Sequence, residues 1–159
     1  MKMNYVDREG RETGPSHWVD LPVATRHSNG FSEVEGYIAR VLASRAASSW
    51  AQFSTMSGKT SISVGKHEGK LQLSLVVDLR RLRHREAAIR NFFARHQILP
   101  AEDYLAGNGG IAKSTRVMAF PLPDDPGVAA EITTDLLHEI YRLKSTTTLN
   151  IRFEDHEAS

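Results

Sequence analysis

The sequence predicts an α+β (or mixed α/β) domain, a single-layer, four-stranded mixed sheet with about three helices packed mainly on one face. Three observations carry that expectation. Leu71, Leu73, Leu75, Val77 and Leu79 alternate with other residues, the period of a half-buried strand. Residues from Leu82 to His96, and again from Val128 to Leu143, repeat their apolar positions at the helical period. The chain has 159 residues, 40% of them apolar and 25% charged. A chain of that length normally makes one domain and buries roughly 70% of its unfolded surface.

Residues 1–30 are polar and broken by Gly10, Gly14, Pro15, Pro22 and Gly30, so they read as an N-terminal arm, with short pieces at Asn4–Val6 and His17–Val23. The single domain spans 31–155, and 156–159 is a short polar tail. Ser32 and Glu35 match a capping box, which starts a helix. Val34, Tyr37, Ile38, Val41 and Leu42 hold one face of it. Arg45, Ser48 and Ser49 then occupy that face, while Leu42, Ala46, Trp50 and Phe53 open a second. Either the helix bends or ends near Ser48, or it is sandwiched between its own sheet and a partner subunit. In the second case Leu42, Ala46, Trp50 and Phe53 form a homodimer interface.

Ile62 and Val64 alternate with serines, and Lys66–Lys70 supplies a turn with Gly69 before the strand at Leu71, which together make a β-hairpin. Gln72, Ser74 and Asp78 fall on the opposite face to the leucines, so the sheet has one buried and one polar side. The helix from Leu82 stops at Ile98, Leu99 and Pro100, and 101–106 reads as one further short turn. A loop, Gly107-Asn108-Gly109-Gly110, precedes a strand at Thr115–Leu122, bounded by Pro121 and Pro123. Asp125 as N-cap and Pro126 as first residue open the last helix. Thr147, Leu149, Ile151 and Phe153 alternate in a closing strand. With four strands, right-handed crossovers set the second, third and fourth parallel, and the first antiparallel beside the second.

Several function classes drop out. The chain has no cysteine, which removes thiol nucleophiles, disulfides and iron–sulfur clusters. No stretch reads as a signal peptide or membrane span, so the expected location is cytoplasmic, without membrane contact. Residues 107–114, GNGGIAKS, resemble the phosphate-binding loop of P-loop nucleotidases, with Ala112 where the second glycine belongs. That loop works by leaving a buried strand and opening a helix, and here a strand follows. Its glycines can still cradle an anion, with Lys113, Arg116 and His96 as candidate ligand-binding residues. The seven histidines show no metal-ligand spacing. Asp124 and Asp125 are explained by helix capping. No catalytic, cofactor or metal set is therefore expected.

The charge is uneven. Residues 79–96 hold six basic side chains and one acidic, and residues 97–159 hold five and ten. Arg80, Arg81, Arg83 and Arg85 form a candidate basic patch at a helix start, where each positive charge opposes the helix dipole by about 0.3 to 1 kcal/mol. Compensation is expected from Glu131, Asp135, Glu139, Glu154, Asp155 or Glu157, or from an acidic protein partner. Nucleic acid is disfavoured, because the charges disperse around the helix and the nearby Phe92 and Phe93 lie on its buried face.

Size and the combination of a helix with a twisted hairpin resemble the small dimeric chaperones of bacterial secretion systems. The functional expectation is a non-enzymatic cytosolic binding, regulatory or chaperone-like adaptor module, acting through protein–protein contacts as a homodimer. The rival expectations are a small anionic-ligand binder or enzyme with a pocket beside Gly107–Thr115, and nucleic-acid binding through Arg80–Arg95.

Overall fold

The computed structural model describes residues 23–106 and 115–155. Seven strands, β1 (Val23–His27), β2 (Trp50–Thr55), β3 (Ser61–His67), β4 (Lys70–Asp78), β5 (Glu102–Ala106), β6 (Thr115–Pro121) and β7 (Leu149–Glu154), form one sheet. Its order is β1-β7-β2-β3-β4-β6-β5, and every neighbouring pair is antiparallel. Three helices, α1 (Val34–Ala43), α2 (Leu79–Arg95) and α3 (Pro126–Glu139), supply the second layer.

The four-stranded mixed sheet expected from the sequence is therefore replaced by a seven-stranded antiparallel one. Three strands lack the signal that marks the others. In β5 the side chains from Glu102 to Leu105 are all exposed, so no alternation of burial exists to be read. In β2 only Ala51 and Phe53 are buried, and the spacing of Trp50 and Phe53 imitates a helix. β1 comes from the last third of the stretch read as an arm. The turn expected at 101–106 is β5 itself.

Each additional strand reverses the parity of a connection. β1 and β2 run parallel, joined through α1, but β7 is inserted between them. β4 and β5 likewise run parallel, joined through α2, with β6 between. Both are split β-α-β units, in which the inserted strand makes all neighbours antiparallel.

Four central strands bury residues on a single face, Ala51 and Phe53, Ile62 and Val64, Leu71 to Val77 by twos, and Leu149 to Phe153 by twos; β6 adds Met118 and Phe120 to that face and buries Ala119 on the other. They share one cluster with Val34, Ile38 and Val41 of α1, Ile89, Phe92 and Phe93 of α2, and Ile132, Leu136 and Leu137 of α3. Phe93 stacks on Phe120 with ring centroids 3.8 Å apart and planes 6° from parallel. Val128, read as inward, is largely exposed.

Local chemistry sets the boundaries. The Ser32–Glu35 capping box does not form: a 3-10 turn at Gly30–Glu33 precedes α1, the Ser32 hydroxyl donates to the Asn29 carbonyl at 3.2 Å, and the N-cap Glu33 makes no side-chain cap. α1 ends at Ala43, where Ser44 turns extended. The Ser44 and Ser49 hydroxyls donate to Asp155 at 2.7 and 3.0 Å, and the Lys66 ammonium donates to the Ser44 carbonyl. A cation at that point suits the negative end of the helix. α3 starts as expected: Asp125 Oδ1 accepts from the N–H groups of Gly127 and Val128 at 2.9 and 3.2 Å. Asp124 does not cap; it accepts from the Leu71 N–H at 3.2 Å and ties the start of α3 to β4. Between β3 and β4, Glu68 and Gly69 have φ of 53° and 80°, the positive pair that a two-residue type I′ turn requires.

Candidate functional site

The three helices share the apolar core with one face of the sheet. The other face carries Trp50, Gln52 and Ser54 from β2, Ser61, Ser63, Gly65 and His67 from β3, and Gln72, Ser74 and Val76 from β4. These side chains follow from the alternation of each strand, since residues beside the buried ones must point away from the core. An antiparallel sheet tolerates such a face in water. Most of its groups are half-buried rather than fully exposed.

Two depressions mark this surface. One, of about 470 Å³, is lined by residues that include Trp50, Gly65, His67, Gln72 and Glu102. The second, of about 250 Å³, includes Lys59, Ser61, Val76 and Val117. They share Gln52, Ser63 and Ser74, so they form one furrow running along β3. At about 3.4 Å per residue, the seven residues of β3 make it about 20 Å long. Gly65 keeps the furrow open beside Trp50: a Cβ there would lie 3.0 Å from the Cβ of Trp50 and 3.2 Å from the Ser49 carbonyl. Arg152 sits over the Trp50 ring at 5.7 Å.

The furrow is rich in donors and acceptors. Gln52 donates to Ser61 Oγ at 3.0 Å. Among the described residues, the side chains of Ser63, Gln72 and Ser74 make no hydrogen bond within the protein. Lys59 stands at one end and Glu102 beside the middle, level with Ser63 and Ser74 through Ala119, which leaves the lining close to neutral. At the Lys59 end the polar floor gives way to an apolar row, because Val76 pairs with Val117, and Val117 with Tyr104, across three strands. Val76 is 59% exposed and Tyr104 50%. Large apolar side chains adjoining one another in water mark interaction surfaces more often than isolated ones do.

The residues singled out from the sequence are scattered by comparison. Leu42 is half-buried against the core at the end of α1, and Ala46 lies in the α1–β2 connection. Trp50 is on the uncovered face, whereas Phe53 is fully buried on the other. The four do not share a surface. Lys113, with the 107–114 loop, lies outside the described residues. His96 is the exposed C-cap of α2, its ring 4.9 Å from Phe92, among Arg95, Asp135, His138 and Glu139. Arg116 belongs to a different cluster.

That cluster joins α2 to the β5–β6 hairpin. Arg116 reaches Glu86 at 3.0 Å and Asp103 at 2.7 Å, and Arg90 reaches Glu86 at 2.9 Å and Asp103 at 2.6 Å. Two cations and two carboxylates close a ring of charge. The hydrogen bond from Arg90, reinforced by Arg116, holds the Asp103 carboxyl below the usual carboxylate range against its partial desolvation. Arg116 is thus occupied within the fold rather than presented to an anion.

The basic patch is divided in the same way. Arg80 lies 3.7 Å from Asp78, Arg85 covers the Tyr141 ring at 4.9 Å, and Arg83 is exposed. Arg81 is in the first turn of α2, its side chain outside the described residues. Arg95 pairs with Glu139 at 2.6 Å, one of the acidic partners the sequence suggested. Burial pushes the Tyr141 hydroxyl up to about 12, opposed by Arg85. Among the described residues, no group of three or more histidines and carboxylates is placed to hold a metal, and no helix is long and apolar enough to cross a membrane.

The furrow was half legible in the sequence. Gln72, Ser74 and Asp78 already marked a polar face on β4, but Gln52, Ser63, Gly65 and Tyr104 join it only once the β2–β3 and β5–β6 registers are fixed. The alternation of Trp50, Gln52 and Ser54 around Ala51 and Phe53 was the available signal. No protein-family model, curated protein or solved structure matches this chain.

Proposed function

We propose that the chain is a non-enzymatic, chaperone-like adaptor that holds an extended segment of a protein partner in the furrow along β3. One observation carries this reading: a 20 Å path of amide and hydroxyl side chains, uncovered by any described helix, ends on an exposed apolar row. An extended polypeptide offers alternating N–H and C=O groups over the same distance, and Gln and Ser side chains serve both as donors and as acceptors. The near-neutral lining suits a peptide main chain better than a phosphate or a nucleic acid. The row Val76–Val117–Tyr104 supplies the apolar contact that such a segment needs for affinity, since polar exchange with water alone contributes little.

The rival readings lose part of their groups to the fold. Arg116, needed for an anion site, is bonded to Glu86 and Asp103, and Arg85, Arg90 and Arg95 are occupied by Tyr141, Glu86, Asp103 and Glu139. A cysteine-free chain also suits a reducing compartment, and the cytosol is the proposed place of action.

Selection from a displayed peptide library tests the proposal. The protein should enrich extended, weakly charged sequences with an apolar residue near one end. The Ser63→Arg, Ser74→Arg double variant, which fills the furrow, should lose at least tenfold in affinity for them. Equal binding by that variant, or no enrichment, would overturn the reading.

A further inference from the structure

Beyond the furrow, we propose that β5 is a homodimer interface, where a second copy of this chain adds its own β5 antiparallel across a two-fold axis centred on Tyr104. Among the described residues, β5 closes one edge of the sheet and is bonded on one side only, to β6. Natural edge strands are blunted by short length, charge, lysine, proline or a bulge. Glu102-Asp103-Tyr104-Leu105-Ala106 is short and carries two carboxylates, but it has no lysine, proline or glycine, and its inward charge, Asp103, is neutralised by Arg90 and Arg116 of its own chain. It also presents apolar side chains on both faces, Tyr104 beside the furrow and Leu105, 41% exposed, on the helix side.

Charge selects both the occupant and the register. Centred on Tyr104, the antiparallel pairing puts Glu102 opposite Ala106 of the second copy, and Asp103 opposite Leu105, so that no carboxylate faces another. Centred on Asp103, the same strands would oppose two aspartates, a destabilising cross-strand pair. Asp103 is moreover already balanced by Arg90 and Arg116 within its own chain. In the Tyr104 register the row Val76–Val117–Tyr104 runs on into its symmetry mate, giving one uninterrupted apolar band across the uncovered faces of both copies. On the helix side, Ala94 continues the i, i+4 row of Glu86 and Arg90 on α2, and it is small and exposed. It leaves room for a second copy to approach. The site is isologous, as a two-fold demands.

The absence of cysteine makes the test clean. Residues facing each other across antiparallel strands have Cα atoms about 4.5 to 5.5 Å apart, inside the range a disulfide spans. Full-length Tyr104→Cys, treated with diamide as the oxidant, should form a covalent dimer at least tenfold faster than Lys59→Cys, an exposed turn control. Light scattering of the unmodified protein should give twice the chain mass, and Tyr104→Glu, which sets two carboxylates on the axis, should give one chain mass with an unchanged circular dichroism spectrum. Cross-linking at 104 no faster than at 59, a monomeric unmodified protein, or a dimeric Tyr104→Glu variant would each overturn the proposal.

Discussion

The two faces of this sheet are built from the same strands, one residue apart, and do opposite work. On the covered face, Leu73 is fully buried between strands and helices; on the uncovered face its neighbour Ser74 lines the furrow. The covered face is filled side chain against side chain, so it transmits any change in volume to the whole fold. The uncovered face is a row of short polar groups whose partners within the protein are few, so it can change without moving the core. Stability and binding are therefore expected to separate along a single strand.

The largest effect that this contrast predicts is Phe93→Ala, which removes a ring stacked on Phe120 inside the core. A loss of about 3 to 5 kcal/mol should be seen in urea unfolding. Ser74→Ala should cost less than about 0.5 kcal/mol in the same measurement. Equal losses would break the division between the faces.

Alkaline pH sharpens the account of the covered side. The Tyr141 hydroxyl is raised from 10.0 to about 12 by burial, so its contribution is fully present below pH 10 and is lost as pH climbs towards 12. A shift of that size corresponds to stability on the order of 2 to 3 kcal/mol. Tyr141→Phe should flatten the fall in stability between those limits, as followed by unfolding at stepped pH. A slope identical to that of the unmodified protein would show that the hydroxyl is solvated.

Smaller effects follow at the connections. Asp125→Ala removes acceptors for two N–H groups at the start of α3 and should cost about 1 kcal/mol. Asp103→Asn opens the charge ring, and each exposed pair contributes at most about 1 kcal/mol, screened by salt. Because the Asp103 carboxyl is held low, the ring's contribution is present above the ordinary carboxylate range and is lost only as pH falls through the depressed value. The Asp103→Asn variant should match the unmodified protein at strongly acid pH and fall below it at neutrality. A constant difference at every pH would contradict the ring.

What could be read from the sequence divides along the same line as the faces. Elements that bury a regular stripe announced themselves: β4 through Leu71, Leu73, Leu75 and Val77, α3 through Asp125, Pro126 and its inward row. β5 carries no stripe because it lies at the edge, with both faces in water, and β2 spends only Ala51 and Phe53 on the core. Missing β5 turned the antiparallel neighbours β4 and β6 into an expected parallel pair, because the extra strand changes the parity of the connection. The polar face was visible on β4, yet the furrow depends on pairing Trp50 with Gly65 and Gly65 with Gln72, which is tertiary information. The expected interface split for the same reason: Trp50 and Phe53 share a face on a helix and oppose each other on a strand.

The most direct test of the central claim is photo-crosslinking in the protein's own cells, with benzoylphenylalanine placed at Ser74 in the furrow or at Glu131 on the exposed side of α3. A protein adduct of defined mass from position 74, absent from position 131 and abolished by Ser63→Arg, is the predicted result. Adducts from position 131 alone, or none from position 74, would contradict the assignment of the uncovered face as the binding surface.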